Sequence, residues 1–177
     1  MNSLKPYLLI ASLIVMVSCS ESPKRQTGLY YCSDIDAMIG WYKQPSIFKT
    51  DNAHSGMYVS KIDSVNAYSV GFDIPNSEVN LEHAKVKEVK VTVWAWLSNE
   101  NAKASLVVEL KKGEQPLQWK EVKLQDNCSN PGDWCKVEQI VKLGGDLSND
   151  DIHVRTYVIN NSKEEVLIDD ISIEYIN

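Results

Sequence analysis

The sequence lacks the short motifs that mark many hydrolases, metalloproteases and nucleotide-binding enzymes. Gly-x-Ser-x-Gly, His-Glu-x-x-His, a glycine-rich phosphate loop and a cysteine–histidine signature are all absent. No Cys-x-x-Cys or Cys-x-x-His spacing occurs, which argues against a zinc site. Asp169 and Asp170 are adjacent, but neighbouring strand residues point to opposite faces, so this pair is not expected to flank one glycosidic bond. We therefore expect no catalytic activity.

Positive charge is scarce as well. The chain has 18 Lys and Arg residues against 24 Asp and Glu residues, a formal net charge of −6. A surface with this balance gives no electrostatic attraction to nucleic acid or to anionic lipid headgroups. Binding to either of them through charge is therefore not expected.

Helical periodicity is also missing, and strand alternation takes its place. No segment sustains an apolar repeat of 3.6 residues, and 77–84 predicts one helical turn at most. Every odd position from Val89 to Leu97 is apolar, whereas the even positions carry polar or tryptophan side chains. The same period of two indicates further strands at 57–63, 66–73, 104–111, 117–124, 134–143, 152–159 and 165–176. Eight or nine short strands without a long helix predict an all-β fold, an antiparallel two-sheet β-sandwich.

The N-terminal segment has the composition of an export signal. Lys5 precedes an uncharged run, 7–18, that is too short to span a bilayer. Met16-Val17-Ser18-Cys19 resembles the lipobox of bacterial lipoproteins, in which the cysteine is acylated and the signal is cut off before it. Ser20-Glu21-Ser22 resembles the acidic surface-export tag of Bacteroidetes lipoproteins.

These resemblances imply a lipoprotein with three parts. Residues 1–18 are the removable signal, 19–28 comprise the lipid-bearing Cys19 and a polar tether, and 29–177 form one β-sandwich domain. The protein is then expected at the bacterial outer membrane or cell surface, held by lipid because its charge does not favour membranes. The alternative is a secretory signal that ends near an incidental cysteine.

Three further cysteines stand in the expected domain. Cys128 and Cys135 flank Pro131-Gly132, a pair that favours a chain reversal, so we predict a disulfide between them. Closing so small a ring is worth about 2–3 kcal/mol by loop-closure entropy. Cys32 is then left over and is expected to be a buried free thiol.

Four segments together resemble the galactose-binding-like jelly roll shared by many carbohydrate-binding modules. They are Asp34-Ile35-Asp36 followed by Gly40-Trp41, then Ala53-His54-Ser55-Gly56, then Lys90-Val91-Thr92-Val93-Trp94-Ala95-Trp96, and finally Val166-Leu167-Ile168-Asp169-Asp170-Ile171-Ser172-Ile173. The resemblance spans nearly all of 30–177. It implies a β-sandwich that binds a glycan and holds a structural calcium ion. The opening is Asp-Ile-Asp where the family usually has Asp-Phe-Glu, and this departure falls on Asp36.

The calcium site implied by the resemblance has some support from the last strand. There Asp169 is expected to share a face with apolar side chains, those of Leu167, Ile171, Ile173 and Tyr175. A carboxylate buried in this way needs a cation or several hydrogen-bond donors. We expect Asp36, Asp169 and Asp170 to bind calcium together with main-chain oxygens of 51–56. Alternatively, Asp169 pairs with backbone amides or a lysine.

The most suggestive aromatic pair is Trp94 and Trp96, two residues apart on one strand face. Aromatic rings stack on sugars, while carboxylates and guanidinium groups bond sugar hydroxyls. If the strands are neighbours, a ligand-binding platform forms from Trp94, Trp96, Glu109, Arg155 and Tyr157. Alternatively, the two tryptophans pack beneath 41–50 or 76–84. The other tryptophans, Trp41, Trp119 and Trp134, are expected in the core or at the sandwich rim.

Two functions therefore stay open. The first is a membrane-anchored, non-catalytic lipoprotein whose jelly roll binds carbohydrate at the cell envelope. The second is a structural or protein-interaction module of an envelope complex. Exposure of Trp94 and Trp96 in an open groove favours the glycan, and burial of both under a loop favours the protein partner.

Overall fold

The computed structural model describes residues 30–36 and 46–177. The predicted signal at 1–18, Cys19, the tether and Trp41 lie outside these residues. The described residues form ten strands: β1 (Tyr30–Ser33), β2 (Ile47–Lys49), β3 (Tyr58–Ile62), β4 (Phe72–Pro75), β5 (Glu88–Leu97), β6 (Ala104–Lys112), β7 (Gln115–Lys123), β8 (Trp134–Lys142), β9 (Ile152–Asn160) and β10 (Val166–Ile176). A single helical turn, α1 (Asn76–Val79), follows β4, and a 3₁₀ turn, 124–126, follows β7.

The strands form two antiparallel sheets that pack face to face. One sheet has the order β2-β3-β10-β5-β8, with β1 also paired to β10, and the other has the order β4-β9-β6-β7. β10 is long enough for β3 to pair with its first part and β1 with its last part. The predicted all-β, two-sheet antiparallel sandwich of jelly-roll type is therefore confirmed. Among the described residues, no helix has the length and apolar character needed to cross a membrane.

Strand alternation builds the core between the sheets. In β5, the odd positions Val89 to Leu97 are all buried, as the sequence predicts. The even positions of β6 and β9, such as Leu106 and Val158, meet them from the other sheet. Burying each of these side chains contributes about 1.5–3 kcal/mol, and this preference fixes which face of every strand points outward.

β10 departs from simple alternation. Its register against β5 shifts between Asp169 and Ser172, and Asp170 has a left-handed backbone with φ of 44°. Val166 and Ile168 therefore face the core before this bulge, and the inward positions after it are Ile171, Ile173 and Tyr175. The prediction that Asp169 shares a face with these later residues is wrong. The Asp169 side chain lies on the outer face of the six-stranded sheet, directly opposite Trp94 of β5.

One of the two cysteine predictions is confirmed and the other is wrong. Cys128 and Cys135 form the expected disulfide, which closes the turn between the 3₁₀ helix and β8. Cys32 is free but exposed, so its predicted burial is wrong. The reason is strand parity, because Ser33 is buried and its neighbour Cys32 consequently points the other way.

Candidate binding face of the four-stranded sheet

A row of polar and aromatic side chains crosses the outer face of the four-stranded sheet. The register pairs Asp73 of β4 with Arg155 of β9, Arg155 with Glu109 of β6, and Glu109 with Trp119 of β7. Their chain neighbours on β4, β9 and β6 are buried, so alternation turns these side chains away from the core. Directly paired residues lie within reach of one another across a sheet. Each of the four strands therefore contributes one side chain to this row.

Asp73 is the centre of an ion-pair network in this row. The Arg155 guanidinium donates to Asp73 Oδ2 from Nε at 3.1 Å and from Nη2 at 2.9 Å. His153 Nδ1 lies 2.7 Å from Asp73 Oδ1, and the ammonium of the buried Lys111 lies 3.7 Å from Oδ2. Burial by itself raises the pKa of the Asp73 carboxyl, but these three partners outweigh burial and hold the pKa below its usual value.

Aromatic rings lie beside the ion pairs. Tyr157 of β9 and Tyr68 pack edge to face, with ring centroids 5.8 Å apart, and Trp119 of β7 lies on the same outer face. Tyr68 is 52% exposed and Trp119 is 47% exposed, so both rings keep open surface. Burial and the nearby Glu109 carboxylate raise the pKa of Tyr157, which keeps its hydroxyl protonated.

A groove of about 410 Å³ lies over β9, β4 and the segment before β4, and its lining includes Tyr68, Gly71, Asp73, Arg155 and Tyr157. Gly71 allows the two strands to approach closely, because a Cβ at this position would lie 1.9 Å from the Thr156 carbonyl oxygen. The groove has the volume of a small-ligand site, with aromatic surface and convergent polar groups.

The structure divides the five predicted ligand-binding residues between the two sheets. Glu109, Arg155 and Tyr157 come together on the four-stranded sheet, as expected for neighbouring strands. Trp94 and Trp96 belong to β5 of the other sheet and point to the opposite side of the sandwich. The five therefore do not form one platform, because alternation along a strand does not determine which sheet the strand joins.

Both β5 tryptophans pack beneath loops. The His54 ring stacks on Trp94, with centroids 3.8 Å apart and planes at 18°, and the Trp96 indole donates to the Gly132 carbonyl at 2.7 Å. The loops that contact these rings contain His54 and Gly132, and of the expected covering segment 41–50 only 46–50 lies within the described residues. Both tryptophans are half-buried, so they offer less ring surface to a sugar than an open platform would. Trp134 also lies at this cluster, 5.6 Å from His54 between ring centroids.

The three predicted calcium ligands converge on the loop before β3. The buried Asp169 carboxylate accepts backbone N–H groups of His54 and Ser55, each at 3.0 Å, and that of Asp170 at 2.8 Å. Burial is the main reason that the pKa of Asp169 rises to about 7. Asp36 accepts the N–H groups of Met57 and Tyr58.

Asp170 bonds to the same loop. Its carboxylate accepts the Ser55 hydroxyl at 2.8 Å and lies 2.5 Å from His54 Nδ1. The expectation that Asp169 and Asp170 point to opposite faces is therefore wrong, because the bulge turns both side chains toward one loop.

The donor set around these carboxylates bears on the calcium prediction. The carboxylate oxygens of Asp36 and Asp169 accept hydrogen bonds from backbone amides, which is the alternative to calcium stated for Asp169. Oxygens held by amides in this way do not fit a calcium coordination shell. Among residues 30–36 and 46–177, no group of three or more His, Cys, Asp or Glu side chains is placed to hold a metal ion. Calcium binding stays a prediction from the resemblance.

Sequence reasoning missed Tyr68, Asp73 and Trp119. Tyr68 lies in segment 66–73, which the sequence predicts as a strand. In the structure β4 begins only at Phe72, and Tyr68 forms an isolated bridge to Ile159. Trp119 was expected in the core or at the rim, yet it occupies the open face. Strand alternation was the signal that could have placed Trp119 outward, because Val122 and Leu124 point inward and Trp119 has the opposite parity.

Comparison with known proteins shows a shared fold. The xylan-binding domain CBM22-1 of Paenibacillus barcinonensis Xyn10C has 13% sequence identity and a TM-score of 0.55, covering 86% of this chain and 98% of its own. The C-terminal family 22 carbohydrate-binding module of Clostridium thermocellum Xyn10B has 14% identity and a TM-score of 0.50, covering 86% and 96%. No protein-family model matches the chain, and no curated protein matches it. The chain thus has the β-sandwich fold of carbohydrate-binding modules.

Proposed function

We propose that this chain is a non-catalytic glycan-binding module and that the outer face of its four-stranded sheet is the binding surface. The observation that carries the proposal is the row from Asp73 through Arg155 and Glu109 to Trp119, with Tyr157 and the groove beside it. Exposed aromatic rings can stack on the apolar faces of pyranose rings. The charged groups next to them can accept from and donate to sugar hydroxyls.

The shape of the site favours a chain-like ligand. The row crosses four strands of an open sheet face, and the groove lies over two of these strands, so several sugar units can lie along the face. Solved domains of the same fold are named xylan-binding. Xylan is therefore the first polysaccharide to test, within a broader panel.

The sequence supports a place of action for this module. Lipid on Cys19 and the polar tether at 20–28 would hold the domain at the outer membrane or cell surface. In that position, a glycan-binding face keeps polysaccharide close to the cell.

The second candidate is a protein-interaction module of an envelope complex. The specific observation in its favour is the packing of Trp94 and Trp96 against loop residues, which leaves both rings half-buried. The exposed Trp119 and Tyr68 also suit a protein interface, where Trp and Tyr are enriched.

Calorimetric titration against xylan and a panel of other polysaccharides tests the glycan proposal. Trp119→Ala and Tyr157→Ala should each weaken binding at least about tenfold, because stacking and hydrogen-bonding surface is lost. Ile140→Ala is the matched control, since Ile140 is an exposed apolar residue of β8 on the other sheet. Binding that survives both substitutions would mean that the glycan site lies elsewhere on the module, and no binding across the panel would favour the protein-interaction candidate.

A further inference from the structure

The charges of the binding face are balanced within a single cluster. Arg155 and Lys111 supply two cations, while Asp73 and Glu109 supply two carboxylates. Asp73 touches both cations, and Glu109 sits directly across from Arg155 on β6. His153 also contacts Asp73, with its Nδ1 2.7 Å from Asp73 Oδ1.

Arg155 is turned toward Asp73. Of the five N–H donors of a guanidinium, those used by Asp73 are on Nε and Nη2. The buried Lys111 has its ammonium directed at the same carboxylate. Asp73 therefore offsets positive charge that would otherwise attract an anion to the groove.

We propose that Asp73 is a specificity-determining residue, which makes this face select uncharged glycans over those that carry carboxylate or sulfate groups. This inference rests on the proposed glycan-binding function. A neutral sugar hydroxyl can accept from the remaining Arg155 donors and donate to Glu109 without disturbing the ion pairs. An acidic sugar bound to the same Arg155 donors would lie beside the Asp73 and Glu109 carboxylates, and like charges repel.

The first step of the test compares the wild-type protein on matched acidic and neutral polysaccharides, glucuronoxylan and polygalacturonate, each before and after chemical reduction of its carboxyl groups. The wild type should prefer the neutral member of each pair. A wild type that binds the acidic member as well or better overturns the inference while leaving the glycan proposal intact. A wild type that binds no glycan overturns both.

The second step changes the charge. Asp73→Asn should raise affinity for the acidic member by about tenfold, as removal of one nearby charge predicts, and this gain should shrink as salt is added. Asp150→Asn is the matched control, because it makes the same change in net charge at an exposed loop residue. A gain of the same size in the control, or no gain in Asp73→Asn, contradicts the proposal.

A variant that leaves the Asp73 hydrogen bonds intact keeps the test decisive if Asp73→Asn fails to fold by circular dichroism. Glu109→Gln removes the other carboxylate beside Arg155. It should raise affinity for the acidic polysaccharides by a smaller factor, about threefold, with the same dependence on salt. An unchanged ratio of acidic to neutral binding in Glu109→Gln overturns the proposed charge balance.

Discussion

Arg155 donates two hydrogen bonds to a single oxygen of Asp73, from Nε at 3.1 Å and from Nη2 at 2.9 Å. The two residues are directly paired across β4 and β9. Because β4 is a short strand at the sheet edge, this contact ties the edge to the centre of the sheet. The same contact fixes the direction of the arginine on which the proposed binding face depends.

The Asp73 network gives a pH-dependent stability. Asp73→Asn is expected to lower the free energy of unfolding at pH 7 by about 2 kcal/mol, since hydrogen bonds to charged groups contribute about 1.5–3 kcal/mol. Burial raises the pKa of Asp73, but Arg155, His153 and Lys111 together hold it below 3.8. Because the folded pKa is the lower one, the contribution is complete above about pH 4 and disappears as pH falls through the folded pKa.

Urea unfolding of wild type and Asp73→Asn at pH 7 and pH 2 measures this dependence. The difference between the two proteins should shrink at the lower pH. A difference that stays constant would mean that the Asp73 charge contributes nothing to stability.

The bond between Asp169 and the loop before β3 gives a second prediction. Asp169→Ala leaves the His54 and Ser55 amides without their acceptor, so we expect the free energy of unfolding to fall by about 2–4 kcal/mol. Since the His54 ring stacks on Trp94, tryptophan emission should also shift to longer wavelength. Asp51→Ala, an exposed change in the same loop, serves as the control. Equal stability of Asp169→Ala and wild type would show that the loop does not depend on this carboxylate.

The disulfide gives a third prediction. Replacing Cys128 and Cys135 together by Ser should lower the free energy of unfolding by about 2–3 kcal/mol, because the unfolded chain regains the freedom of a small ring. Cys32→Ser should have little effect, since Cys32 is free and exposed. Chemical unfolding with and without reductant measures both. A reductant-insensitive wild type would contradict the bond.

Calcium binding is tested by thermal melts with calcium and with EDTA. A bound calcium ion would raise the midpoint by mass action, whereas carboxylates held by amides alone give equal midpoints. The bonds from Ser55 and Met57 to Asp169 and Asp36 lead us to expect equal midpoints. A higher midpoint in calcium would instead support the site implied by the resemblance.

Much of the fold follows from alternation along single strands. The odd positions of β5 face the core as predicted, because this strand has one clearly apolar face. The bulge in β10 was not predictable in this way, since the left-handed backbone of Asp170 has no sequence signal as strong as a glycine. The bulge puts Leu167 and Asp169 on the face opposite to that of Ile171, Ile173 and Tyr175, which share one face as predicted.

The candidate site was predictable only in part. Glu109, Arg155 and Tyr157 were found because they alternate with core residues of their own strands. Their separation from Trp94 depends on strand order, which arises from long-range packing and not from any one strand. Asp73 was missed because β4 is too short to show an alternating pattern.

The central claim is that glycan binds the four-stranded sheet and not the tryptophans of β5. The most direct test is a titration of ¹⁵N-labelled protein with the best-binding polysaccharide fragment, following the indole signals of its five tryptophans. Single Trp→Phe variants assign each signal. We expect the Trp119 indole, with amides of β4, β6 and β9, to shift, while Trp94 and Trp96 stay unchanged beneath their loops. Shifts confined to Trp94, Trp96 and Trp134 would contradict the account.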